Sequence, residues 1–85
     1  MNHDSVEFTT LKKVTATILG MDVNEIEPEM NFFTDLGADS LDLYQIVMGI
    51  EDELNISISA ESLEGLQTVQ EALKLIESLT DWFIM

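Results

Sequence analysis

Ser40 sits within Asp35-Leu36-Gly37-Ala38-Asp39-Ser40-Leu41-Asp42, at the start of an amphipathic stretch, with no base nearby in the sequence to activate it. The sole histidine, His3, is far away in sequence, there is no cysteine, and the nearest ionisable neighbours are the carboxylates Asp39 and Asp42. A serine nucleophile needs an adjacent general base, so a hydrolytic triad is excluded, and Gly-x-Ser-x-Gly is absent as well. Such a hydroxyl is a residue to be modified rather than one that attacks. The function is expected to lie in what is attached at Ser40.

Composition narrows the partners. The 85 residues make one small domain, a size that buries only about 60–65% of its unfolded surface. Without cysteine there is neither a disulfide nor a thiolate metal site, and one histidine cannot build a common zinc site. Three basic residues against 17 acidic ones give a net charge of −14, which excludes nucleic acid binding and points to basic protein surfaces. An EF-hand fails on spacing. Begun at Asp35, it would place Ser40 at the invariant glycine and Ile46 at the bidentate glutamate; begun at Asp22, it would place Ile26 and Phe33 at ligand positions. No membrane-spanning run and no signal-like segment at Met1-Asn2-His3-Asp4 are seen, so a cytoplasmic, soluble monomer starting at its own Met1 is expected.

The elements that must position Ser40 follow from periodicity and caps. Asp4 with Glu7 approximates a capping box for a first helix over about residues 5–19, carrying Phe8, Leu11, Val14 and Ile18 and stopped by Gly20. A long connection follows, with Val23, Ile26, Met30, Phe32, Phe33 and Leu36 as apolar anchors. Such a length is credible only if the loop packs and has a function. A second helix is predicted from Ser40 to about Leu54, with Asp39 as N-cap and Asp42 at the third helical position. Leu43, Ile46, Val47, Ile50 and Leu54 form its core stripe, Gly49 weakens it, and Leu41, Tyr44 and Met48 lie on a different side. Asn55 can end it in a left-handed conformation.

Ser59 can cap a one-turn helix near Ala60–Leu63, broken by Gly65, and Thr68 with Glu71 forms a capping box for a last helix bearing Val69, Ala72, Leu73, Ile76 and Leu79. Alternation at Ile56, Ile58 and Ala60 resembles a strand without a partner. The expected fold is all-α, a small four-helix bundle of three main helices and one short one, over residues 1–80. The tail Asp81-Trp82-Phe83-Ile84-Met85 either folds back onto the bundle through Trp82 and Phe83 or offers an apolar contact.

The Ser40 block, continued by Ile46-Val47-Met48, Glu51-Asp52-Glu53-Leu54 and Thr68-Val69-Gln70, resembles an acyl carrier protein from Leu19-Gly20 through Leu79. The resemblance implies that a phosphopantetheinyl transferase attaches 4′-phosphopantetheine from coenzyme A to Ser40, and that the arm's thiol carries acyl groups as thioesters. The chain would then be no enzyme, but a carrier serving acyltransferase, synthase or ligase enzymes with basic docking patches. The implied partner face is Asp39, Leu41, Asp42, Tyr44, Gln45, Met48, Glu51 and Asp52. The core stripe and loop anchors would line a cleft for a short acyl chain, stabilised by up to about 0.8 kcal/mol per buried CH₂.

An anionic linkage on Ser40 would meet the positive end of the second helix, yet Asp39 and Asp42 oppose it, so the arm is expected to swing in solvent. Three departures from the family pattern bear on partner identity: Gln45 where an acidic residue is frequent, Tyr44 where a smaller aliphatic is common, and Ser59-Ala60 in place of a Pro-acidic pair. Ala38 after Gly37 favours a fatty acid or polyketide carrier over a peptidyl or D-alanyl carrier. An acidic interaction module phosphorylated at Ser40 is the reading outside the carrier class.

Overall fold

The computed structural model describes residues 5–80. Helix α1 spans Val6–Leu19 and begins one residue later than the Asp4-Glu7 box implies: its N-cap is Ser5, whose hydroxyl accepts the Phe8 N–H at 3.1 Å. Asp4 lies outside the described residues, as does the 81–85 tail. Gly20, at φ 69°, closes the helix by returning its N–H to the Ala16 carbonyl, a conformation that costs glycine nothing.

The long connection after Gly20 is organised by hydrogen bonds as well as by its anchors. Asp22 and Glu25 cap a single 3₁₀ turn, Val23–Glu25, in a reciprocal box. Farther on, the chain is stitched to the start of the last helix: the Phe32 N–H donates to the Gln67 carbonyl (2.8 Å), Val69 N–H to Met30 carbonyl (2.9 Å) and Gln70 N–H to Pro28 carbonyl (2.9 Å). The Asn31 side chain accepts from the Phe33 and Thr34 N–H groups, and the Asp35 carboxylate accepts from Asn31 N–H. Phe32 is fully buried, Ile26 is buried, and Met30, Phe33 and Leu36 pack partly against the core. Val23 is the exception among the expected anchors. It is 39% exposed, and no residue of the 3₁₀ turn that carries it is buried, although the turn contacts α1.

Helix α2 spans Ser40–Leu54, α3 Ala60–Leu63 and α4 Val69–Thr80. Each start is capped by the residue type its position demands: Asp39 with Asp42, Ser59 alone, and Thr68 with Glu71. Asn55 ends α2 at φ 57°. The segment with Ile56 and Ile58 forms no strand; among the described residues the only β-type pairing is an isolated bridge between Asn31 and Thr68. The bundle is thus all-helical, with three longer helices and one single-turn helix.

α1 packs chiefly on α2 and also on α4. Leu11, Phe32, Ile46, Ile50, Val69 and Ile76 form the most deeply buried part of the core. Ala38, immediately before the Ser40 region, is buried too, and its N–H donates to the Phe32 carbonyl. This contact ties the approach to α2 to the same aromatic residue that anchors the connection. None of the described helices is long and apolar enough to cross a membrane.

Candidate functional site

Ser40 is the first residue of α2 and is exposed. Its hydroxyl makes no hydrogen bond among the described residues. The helix start around it is held by a reciprocal box: Asp42 N–H donates to Asp39 Oδ1 at 2.9 Å, and Asp39 N–H donates to Asp42 Oδ2 at 3.3 Å. Leu43 N–H goes to the Asp39 carbonyl. The N–H groups of Ser40 and Leu41 remain without an acceptor among the described residues, at the end of the helix where its dipole favours an anion. Among the described residues there is no histidine to act as its general base. Nor do the described residues hold a group of three or more His, Cys, Asp or Glu side chains that could bind a metal ion.

The expected partner face divides in two. Leu41 (64% exposed), Tyr44 (52%) and Met48 (64%) form a strip along α2 at helical spacing, open to solvent, and Gln45 and Asp52 are exposed beside it. Asp39 is exposed and Asp42 half-buried, but both spend carboxylate oxygens on the cap. Glu51 is likewise half-buried, and its Oε2 accepts the Ile58 N–H at 2.6 Å. It clasps the segment after α2 to the helix.

Beside Ser40 lies an open cleft of about 340 Å³ between the first turns of α2 and the segment through α3 to Gln67. Ser40 and Tyr44, four residues apart and so on one helix face, form part of its α2 wall with Leu43. Leu63, Glu64, Leu66 and Gln67 supply the opposite wall, and Phe33 contributes from the long connection. Of the core stripe, Leu43 lines this open cleft, and Leu43, Ile46, Val47 and Ile50 line an adjoining interior void of about 10 Å³ with the loop anchor Phe32; Leu43, Leu63 and Leu66 border both. That volume is near the lower limit for a single water.

Residues of the α3 wall were not singled out from sequence, because Glu64 and Gln67 look like ordinary solvated turn residues. The available signal was indirect: Gly65, at φ 79°, lies between the Ser59 and Thr68 caps and forces a tight turn there. The backbone of Gln67 is pinned on both sides, its carbonyl by Phe32 N–H and its N–H by Glu71 Oε1 at 2.8 Å.

A family model described as the phosphopantetheine attachment site matches residues 9–76, from within α1 to within α4. The chain belongs to that family. Its members are carrier domains, generally non-catalytic, with 4′-phosphopantetheine attached covalently to a serine, and they work with transferases and biosynthetic enzymes. The surroundings of Ser40 fit such a group in this carrier domain. They combine an exposed hydroxyl with no competing hydrogen bond, two unclaimed N–H groups at a helix start, and a cleft beginning at the same residue.

Proposed function

We propose that Ser40 is the attachment serine and that the chain carries acyl groups for fatty acid or polyketide type biosynthetic enzymes. The observation carrying this reading is the Ser40 hydroxyl itself, exposed at the first position of α2 and, among the described residues, without a hydrogen bond or a histidine base. When bound, the prosthetic group supplies a thiol that holds acyl units as thioesters. The protein's part is to present the hydroxyl, to favour an anion there through the N-terminus of α2, and to keep the helix start rigid through the Asp39–Asp42 box.

The exposed strip Leu41, Tyr44 and Met48, with Gln45 and Asp52 at its side, is the surface we assign to partner docking. Basic patches on a phosphopantetheinyl transferase and on acyltransferase, synthase or ligase enzymes would be steered there by the net charge of −14, an effect on encounter rate more than on affinity. Asp39, Asp42 and Glu51 add to that field while serving the fold. The Ala38 position supports the fatty acid or polyketide assignment over a peptidyl or D-alanyl carrier.

Intact-mass analysis tests the assignment. Incubation with coenzyme A and a phosphopantetheinyl transferase should add the mass of one phosphopantetheine, and Ser40→Ala should abolish the addition. No addition to the unsubstituted chain, or addition that survives Ser40→Ala, overturns it.

A further inference from the structure

Three helix ends meet at the end of the bundle away from Ser40. Thr80, the last residue of α4, donates its hydroxyl to Glu7 Oε2 in the first turn of α1 at 3.0 Å, and both residues are half-buried. α2 runs antiparallel to α1, with Gly49 against Val14 and Glu53 bonded to Lys13 at 3.1 Å, so its last turn comes to the same end. Ser40 lies at the opposite end of α2, about 20 Å away.

This end carries apolar surface that the core does not take up. Val6 is 70% exposed, the most exposed large apolar side chain among the described residues. Leu54, Ile56 and Leu79, toward the same end, are only half-buried. Val6 and everything after Ile76 fall outside residues 9–76 that the family model matches, so what the family shares does not fix this end.

The sequence that continues from Thr80 has the matching chemistry. After Asp81 come four apolar residues in succession, Trp82-Phe83-Ile84-Met85. Five residues reach at most about 17 Å, and Val6 adjoins Glu7, the hydrogen-bond partner of Thr80. So short a tether holds its residues at a high effective concentration beside Val6, whereas a net charge of −14 repels a second copy of the chain.

We propose that Trp82–Met85 docks on this end of the bundle, with the aromatic pair Trp82-Phe83 covering Val6 and the flank of Leu79. The Thr80–Glu7 bond sets where the segment starts. Aromatic rings supply large buried area per residue, which suits a small domain with no disulfide to close it. Neither Ser40 nor the strip of Leu41, Tyr44 and Met48 takes part.

Trp82 is the sole tryptophan, so its fluorescence in the full chain reads the segment directly. Docking predicts an emission blue-shifted from that of the urea-unfolded chain and weaker quenching by acrylamide, both independent of protein concentration. Val6→Asp places a carboxylate at the first helical position of α1, where the helix dipole favours it. It should move the emission to the red and raise quenching toward the unfolded value, with far-UV circular dichroism unchanged. Should the dichroism change, Val6→Ser reads the same contact without an added charge. Quenching equal to that of the unfolded chain, protection that falls on dilution as a contact between copies would, or protection unaltered by substitution of Val6 overturns the docking.

Discussion

Gly49 of α2 faces Val14 of α1 so closely that a Cβ at position 49 would stand 2.8 Å from Val14 Cγ1. The glycine is a packing requirement, and its helix-weakening effect is the cost of that approach. Alanine there would recover about 1 kcal/mol of helix propensity. It would also push on a β-branched side chain that has little rotamer freedom in a helix, and overpacking of this kind costs about 1–3 kcal/mol. Gly49→Ala is therefore expected to destabilise the apo domain by about 1 kcal/mol in urea unfolding, the strain outweighing the propensity. Adding Val14→Ala should relieve the strain, so the double variant is less destabilised than the sum of the two singles.

Thr15, also on α1, is fully buried, and its hydroxyl has no hydrogen-bond partner. A buried unsatisfied hydroxyl costs about 1–3 kcal/mol, and an apolar group of the same shape removes that cost. Thr15→Val is expected to raise the urea midpoint with an unchanged m-value, corresponding to a gain of about 1 kcal/mol. A loss of stability would mean that the hydroxyl is satisfied in solution.

Helix starts and stops were legible in the sequence because single residue types decide them. Asp39 with Asp42, Asn55, Ser59 and Thr68 with Glu71 each act over one turn, and all take the roles their chemistry dictates. The first cap was misplaced by one residue because Asp4 and Ser5 are both capable caps, and only the chain's path chooses Ser5. Val23 was misread as an anchor because apolarity alone does not say which way a 3₁₀ turn points. The pairing of Met30 and Phe32 with Val69 and Gln67 left no trace in the sequence: it joins distant backbone groups and demands no side-chain type. For the same reason the α2 half of the candidate site was legible and the α3 half was not.

Glu71 offers a test of how the α3 side is held. Its Oε1 accepts N–H groups from Thr68 (3.0 Å) and Gln67 (2.8 Å). The Thr68 backbone bond first, then that of Gln67, holds the carboxyl below its ordinary value of about 4.5. A carboxylate with a lowered folded-state pKa contributes stability that is present above its unfolded pKa and lost as pH falls through the folded one. Glu71→Gln should therefore lower thermal stability at neutral pH, and the difference from the unsubstituted protein should shrink on acidification below about pH 4.5. A difference independent of pH would show that the carboxylate charge plays no part in the cap.

Glu51 separates a fold role from a docking role. Periodicity places it beside Asp52 on an outward side of α2, but its carboxylate clasps Ile58 N–H at 2.6 Å, and that contact exists without any partner. A hydrogen bond to a charged group contributes about 1.5–3 kcal/mol, so Glu51→Ala should destabilise the isolated apo domain by an amount in or just below that range. Asp52 is exposed, and its carboxylate makes no hydrogen bond among the described residues. Asp52→Ala should leave stability within about 0.5 kcal/mol of the parent, as surface changes away from specific contacts do. If docking uses charge on this side of α2, Asp52→Ala raises the KM of a phosphopantetheinyl transferase for the chain more steeply at low salt than at high salt, while kcat stays the same. Equal destabilisation by the two substitutions would mean that the clasp to Ile58 does not hold in solution.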